Sequence, residues 1–166
     1  MGVDFVVRAS GVEEVEQGPP PEVAIENAYR KAAAVASQAP QATVLGVDTL
    51  VALGARVYGK PTDRGQARRT LQDLGGRRHS VIGGLCLIEA GRVRTLVAST
   101  QVEFRALDEH TIERYLDTDE WRGRAGGYAV QGRGALLVRS IEGDYLNVVG
   151  LPVAALAELS PGLLGP

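Results

Sequence analysis

Apolar positions recur along this chain with a spacing near 3.6 in some stretches and near 2 in others, and the switches between the two mark its elements. Val3 to Arg8 alternates and predicts a short strand, followed by an acidic loop at Glu13, Glu14 and Glu16 and a stop at Pro19, Pro20 and Pro21. Glu22 to Ser37 then predicts a helix, with Ile25, Ala28, Ala32 and Val35 as its apolar stripe and Glu26, Arg30 and Lys31 at the edges. Thr43 to Val47 reads as a buried strand that ends in Asp48 and Thr49 and resumes over Leu50 to Leu53 before Gly54 turns the chain. Asp63 suits the N-cap of a second helix, whose Ala67, Leu71 and Leu74 face inward and which Gly75-Gly76 ends.

His79 to Ile88 and Val93 to Phe104 are strand-like and meet through Ala90-Gly91, the pattern of a hairpin. A third helix is expected from about Asp108 to Leu116, with Ile112, Tyr115 and Leu116 as its apolar side. Trp121 to Gly134 is rich in glycine and arginine and predicts a functional loop. Ala135 to Arg139 reads as a strand, Glu142-Gly143-Asp144 as a turn, and Pro152 as the start of a terminal helix. Helices and strands alternate without a strict βαβ rhythm, which implies an α/β fold around a mixed, twisted sheet.

Composition narrows the classes that this fold can serve. The chain of 166 residues is 45% apolar and 23% charged, the balance of one globular domain with a substantial core. A formal net charge of -2 gives no broad positive field, so a nucleic-acid partner is not expected, whereas a small anion needs only a local cluster of Lys and Arg. Cys86 is the only cysteine, which excludes an internal disulfide and a thiolate metal cage. No stretch reads as a signal peptide or a membrane span, and the expectation is a soluble cytoplasmic protein without a membrane partner.

Asp48 is the residue hardest to explain as scaffold, because a carboxylate after the apolar run Val44 to Val47 must lose water unless a partner meets it. Two readings stand: a turn cap acting through Thr49 and Gly46, or a working carboxylate. Lys31 and the lysine of Gly59-Lys60-Pro61 favour the second, since ammonium groups neutralise phosphate oxygens while an acid binds a divalent metal or orients a water. Glu13 and Glu14 are either a solvated loop or the source of a second oxygen ligand. His79 and His110 are isolated and read as a core or surface histidine, and a serine nucleophile lacks its elbow motif. In Ala125-Gly126-Gly127-Tyr128-Ala129-Val130-Gln131-Gly132, small residues, an aromatic ring and an amide could line a base pocket, or Tyr128 could be core and the glycines a tight turn.

Gly46-Val47-Asp48-Thr49, Gly59-Lys60-Pro61, Gly76-Arg77-Arg78-His79-Ser80-Val81, Ala125-Gly126-Gly127-Tyr128 with Gln131-Gly132, and Glu142-Gly143-Asp144-Tyr145 with Asn147-Val148-Val149-Gly150-Leu151-Pro152 occur in one order and spacing. Over about Val3 to Leu156 this set closely resembles the Maf proteins. The resemblance implies a Maf-like α/β domain, akin in architecture to inosine triphosphate pyrophosphatases, with a central cleft between two lobes and commonly a homodimer. It implies cleavage of nucleoside triphosphates between the α and β phosphates with a divalent cation, Mg²⁺ or Mn²⁺. By position, Asp48 matches the family's proton acceptor, and Lys31, Lys60 and Glu13 match its phosphate-site and metal-site residues, with Glu14 as substitute for Glu13 and Asp48 with Glu13 as metal ligands.

Thr49 and Gln131 resemble the subgroup that acts on dTTP, UTP and modified pyrimidine nucleotides. The family's N-terminal Ser-x-Ser-Pro-Arg-Arg phosphate loop has no counterpart here, and Met1-Gly2-Val3-Asp4-Phe5 aligns just after it, so residues 1-166 are expected to be one domain truncated at its N-terminus relative to the family. Gly75, Gly83 and Gly123-Arg124 also depart from the usual Ser, Thr and Asp-Lys. The rival to the enzyme is a nucleotide-binding or regulatory protein that lost turnover with the loop.

Overall fold

The computed structural model describes residues 3–162. Its strands are β1 (Val44–Leu53), β2 (Arg56–Tyr58), β3 (Arg78–Glu89), β4 (Arg92–Phe104) and β5 (Val138–Glu142). Its α-helices are α1 (Pro20–Ala36), α2 (Arg64–Leu74), α3 (Glu109–Leu116), α4 (Tyr145–Val149) and α5 (Val153–Leu159). The strands form one sheet in the order β2-β1-β3-β4-β5. The α/β fold with flanking helices is as expected, but the mixed sheet is not: every pairing among the described residues is antiparallel. The reason lies in the crossover through α2. It joins β2 to β3, which run in the same direction, but β1 lies between them and pairs antiparallel to both.

Local chemistry sets the helix ends. Pro20 and Pro21 occupy the first turn of α1, where a missing N–H costs nothing. The side chains of Asp63 and Asp108 accept from the backbone N–H groups of Gln66 and Thr111, capping α2 and α3 as their spacing predicts. Ala90 and Gly91, both at positive φ, close the β3–β4 hairpin.

Helix α1 lies unusually close to the sheet. A Cβ at Gly46 of β1 would come within 2.2 Å of the Ala28 carbonyl oxygen, and one at Gly84 of β3 within 2.2 Å of the Ala24 carbonyl oxygen. The two glycines therefore seat the helix backbone directly on the strands. The buried face of α1 is Val23, Ala24, Asn27, Ala28 and Ala32, so the stripe is rotated from the expected one and Ile25 is only half-buried. On the sheet's other side, Leu85 and Leu87 pack with Ala155, Leu156 and Leu159 of α5. The largest core gathers α2, α3, Trp121, Phe104 and Tyr128 around Val51 and Val81.

Two expected elements differ and one helix is additional. Val3 to Arg8 forms no strand, and Phe5, Val6 and Val7 are exposed, because an alternating stretch becomes a strand only where a neighbour takes its hydrogen bonds. The strand expected over Ala135 to Arg139 begins instead at Val138, after a 3-10 turn over Arg133–Leu137. Helix α4, capped by Asp144, follows the Glu142-Gly143-Asp144 turn and was not expected. Among the described residues no helix is long and apolar enough to cross a membrane.

His79 is 1% exposed in the largest core. Its Nε2 lies 2.9 Å from the Tyr128 hydroxyl, and the rings of His79, Phe104 and Tyr128 meet edge to face with centroids 4.8–5.6 Å apart. Burial pushes the imidazole's pKa down from 6.5 to about 4. The folded protein thus keeps His79 neutral where the unfolded chain protonates it, and stability falls as the pH drops from about 6.5 to about 4. The loss from this one group is on the order of 2–4 kcal/mol. Urea unfolding of His79→Gln, compared with the parent at pH 7 and pH 5, is expected to show a smaller loss on acidification in the variant.

Candidate active site

The free edge of β1 opens into a cleft. β2 pairs only with Val51–Leu53, and the preceding Val47, Asp48 and Thr49 line the cleft together with Lys31 of α1, Lys60 just after β2, the loop Gly123–Gln131 and the end of α4. Two consecutive left-handed glycines shape that loop. Gly126 and Gly127 both have φ near +67°, and added Cβ atoms would press on Val51 at 2.7 Å and on Pro61 at 3.1 Å. The Gly126 N–H donates to the Gly59 carbonyl at 3.1 Å, which docks the loop on the Gly59-Lys60-Pro61 turn.

Asp48 is 4% exposed and faces α1. Its Oδ1 accepts from the Lys31 ammonium at 2.6 Å, and its Oδ2 accepts from the Asn27 amide at 3.3 Å. The turn-cap reading of Asp48 therefore falls. Lys31 also meets Glu14 at 2.7 Å, and the same Glu14 oxygen accepts from Lys60 at 3.2 Å. Burial lowers the lysine's pKa, but the hydrogen bonds and charges of Asp48 and Glu14 outweigh it and hold Lys31 above the ordinary lysine value. Partial burial raises the Glu14 pKa, and Lys31 and Lys60 together turn the balance to a value below the usual carboxylate range. Lys31 is thus a permanent cation at working pH and no candidate base.

The expected site residues fare as follows. Asp48, Lys31, Lys60, Thr49 and Gln131 line one cleft although four separate stretches of the chain supply them. Neither Glu13 nor Glu14 lines it; both border a shallow hollow with Val15, Glu16 and Gln17, and Glu13 is exposed there while Glu14 reaches the two cleft lysines. The carboxylate beside the lysines belongs to Glu14, which sequence reading carried only as a substitute. Asn27 was missed, and it explains the choice. Its Oδ1 accepts from the Val15 N–H at 2.7 Å and its Nδ2 donates to the Val15 carbonyl at 3.0 Å, so the acidic loop is clamped in the register that presents Glu14. Its one visible signal was an amide four residues before Lys31 on a helix. Tyr128 answers both earlier readings, being 6% exposed in the core and also part of the cleft wall.

Asn147 was also missed. Fully buried, it donates to the Val81 carbonyl at 3.0 Å and to the Thr100 hydroxyl at 3.1 Å, pinning α4 to β3 and β4. Val148, Val149 and Gly150 thereby reach the cleft beside Thr49.

A family model described as Maf-like protein matches residues 1–161. The chain belongs to the Maf-like family. It is 42% identical over 158 residues to a dTTP/UTP pyrophosphatase of Pyrococcus furiosus, covering 94% of this chain and 83% of that protein. It is 45% identical over 163 residues to a dTTP/UTP pyrophosphatase of Pelotomaculum thermopropionicum, covering 96% and 85%. A dTTP/UTP pyrophosphatase of Latilactobacillus sakei is 42% identical over 158 residues, covering 94% and 87%. Membership accounts for why the motifs scattered through the sequence converge on one cleft in this Maf-like chain.

The two lysines hold their partners under different conditions. The Asp48 side chain is 3% exposed and loses its charge partner if Lys31 is removed, whereas the Lys60 side chain is 52% exposed and its pair with Glu14 is screened by water. Lys31→Met is therefore expected to cost about 3 kcal/mol of folding stability and Lys60→Met under about 1 kcal/mol, as read from urea midpoints at neutral pH.

Proposed function

We propose that this chain hydrolyses nucleoside triphosphates, UTP and dTTP foremost, to the monophosphate and pyrophosphate. The observation that carries the reading is Asp48, a buried carboxylate held at 2.6 Å by Lys31 in a cleft that also contains Lys60, Thr49 and Gln131. The names of the relatives above agree with it.

In the reaction, Asp48 takes the proton of the water that attacks the α-phosphorus. Each of its oxygens already accepts one hydrogen bond and retains a lone pair for another. Lys31 and Asn27 fix the carboxylate's orientation, so no reorganisation is needed when the proton moves. Lys60, at the exposed side, meets the negative charge that builds on the bridging oxygen and the departing pyrophosphate. Thr49 and Gln131 offer a hydroxyl and an amide to the base, and the Tyr128 ring gives it an apolar wall.

A divalent cation fits the donor set. Asp48 and Glu14 both bond the Lys31 ammonium, so the two carboxylates lie close together, and such an ion would take the lone pairs that Lys31 leaves free. Among the described residues no three His, Cys, Asp or Glu side chains are grouped to hold a metal. Two carboxylates are the number that Mg²⁺ takes when water and phosphates complete its shell, and Mn²⁺ suits the same oxygens. Such an ion, held by Asp48 and Glu14, would supply charge to neutralise the phosphates. In this reading Glu14 replaces Glu13 as the partner of Asp48.

Pyrophosphate release from UTP with Mg²⁺ tests the proposal. Asp48→Asn should keep the fold and lose at least about a thousandfold in kcat, since an amide neither takes a proton nor matches a carboxylate as a ligand. Glu14→Gln should lose far more activity than Glu13→Gln. A folded Asp48→Asn protein with near-parental turnover, or equal effects at the two glutamates, would overturn these assignments.

Base choice has its own test. A pocket that pairs with a uracil or thymine edge penalises a base that leaves its amide unmatched by about 1–3 kcal/mol per lost partner. UTP and dTTP should therefore exceed CTP and 7-methyl-GTP in kcat/KM. Gln131→Glu, which removes the donors and keeps only acceptors, should narrow that ranking more than it weakens phosphate binding. A parental preference for 7-methyl-GTP would refute the pyrimidine reading and leave pyrophosphatase activity standing.

A further inference from the structure

The cations already placed in the cleft are largely spent on the protein's own carboxylates. Lys31 pairs with Asp48 and Glu14, and Lys60 pairs with Glu14. A nucleoside triphosphate brings close to four negative charges, so the cleft needs a positive group that is not internally neutralised.

Arg124 meets that need. It lines the cleft, its side chain is exposed, and among the described residues it makes no ion pair. Its neighbour Arg122 is exposed too, but it pairs with Asp119 at 2.9 Å, stacks over Trp121 at 4.5 Å and does not line the cleft. The position of Arg124 is built into the loop. The Gly126 to Gly59 hydrogen bond fixes its loop against the turn that carries Lys60, and the backbone of Gly127 bonds back to the Arg124 carbonyl at 3.0 Å. Arg124 and Lys60 consequently line the same cleft from a loop and a turn that are bonded to each other.

We propose that Arg124 binds the pyrophosphate portion of the substrate, acting with Lys60 as an anchor for the phosphates that leave. The inference rests on the triphosphatase reading of the same cleft and adds a substrate-contacting residue to it. A guanidinium suits the task because its planar fork presents two parallel N–H donors to two phosphate oxygens, a geometry that a lysine ammonium lacks.

The test uses the whole chain and its variants Arg124→Gln, Arg124→Lys and Arg122→Gln, with circular dichroism to verify folding. Calorimetry measures binding of inorganic pyrophosphate and of UMP in the presence of Mg²⁺, and steady-state assays measure KM and kcat for UTP. Arg124→Gln should weaken pyrophosphate binding and raise the KM for UTP by about tenfold or more, Arg124→Lys should do so by less, and UMP binding should stay within about twofold of the parent. Arg122→Gln, which keeps all cleft residues, should match the parent throughout. An Arg124→Gln protein that binds pyrophosphate as the parent does refutes the inference. An equal loss for UMP and pyrophosphate also refutes it and moves Arg124 to the nucleoside end. A parent that binds pyrophosphate but does not hydrolyse UTP refutes the triphosphatase reading alone, and the binding comparison still decides the role of Arg124.

Discussion

Helix α1 can rest on the sheet only because β1 and β3 each present a bare backbone where it passes, at Gly46 and Gly84. A single methyl group at either position would drive the helix outward, since the atoms in the way are its own carbonyls and not flexible side chains. Asn27 and Lys31 stand one turn apart on that helix, so its height above the sheet sets whether an amide and an ammonium reach Asp48 at hydrogen-bond distance. Through Asn27 the same contact holds Val15, and through Val15 it sets where Glu14 sits. A steric constraint at two glycines thus governs the electrostatics of the cleft.

Those electrostatics explain how an acid can sit inside a sheet. A buried carboxylate without a partner would be costly, and the pairing with Lys31 offsets that cost while keeping Asp48 oriented. Glu14 serves as counter-charge to both lysines, so in the protein by itself the cleft holds two acids against two lysines. Arg124, which also lines the cleft, stands outside this balance. Binding of a polyanion then becomes an exchange of partners, in which phosphate oxygens compete with Glu14 for the ammonium groups.

Much of this arrangement was legible in the sequence. The capped helices, the β3–β4 hairpin and the convergence of Asp48, Lys31 and Lys60 all follow from short-range signals or from motifs in a fixed order. What escaped depends on contacts distant in sequence. Glu13 and Glu14 are indistinguishable in an acidic loop without periodicity, and only the hydrogen bonds from Asn27 to Val15 separate them. Asn27 carries little local signal, because its two partners, Val15 and Asp48, come from other segments. The five residues of α4 are too few to show a helical period, and Asn147, which holds it in place, bonds to β3 and β4 across 66 and 47 residues. Strand direction was also out of reach, since β1 had to be known to lie between β2 and β3.

The ladder between β1, β3 and β4 runs without interruption, with nine paired positions on one side of β3 and twelve on the other. Strands this long and this regularly bonded cannot bend at a hinge without breaking several hydrogen bonds at once. The floor of the cleft is therefore stiff, and opening by rotation of two halves about the sheet would be slow and costly. Freedom to admit and release a ligand falls instead to the acidic loop, tied down at Val15. It is held by the two Asn27–Val15 hydrogen bonds and the ion pairs of Glu14, which open on a faster timescale than a sheet deforms, whereas Tyr128 and Val130 root the glycine-rich loop in the largest core. What can move in this architecture is a loop over a fixed platform, and Asp48 sits on the part that stays still.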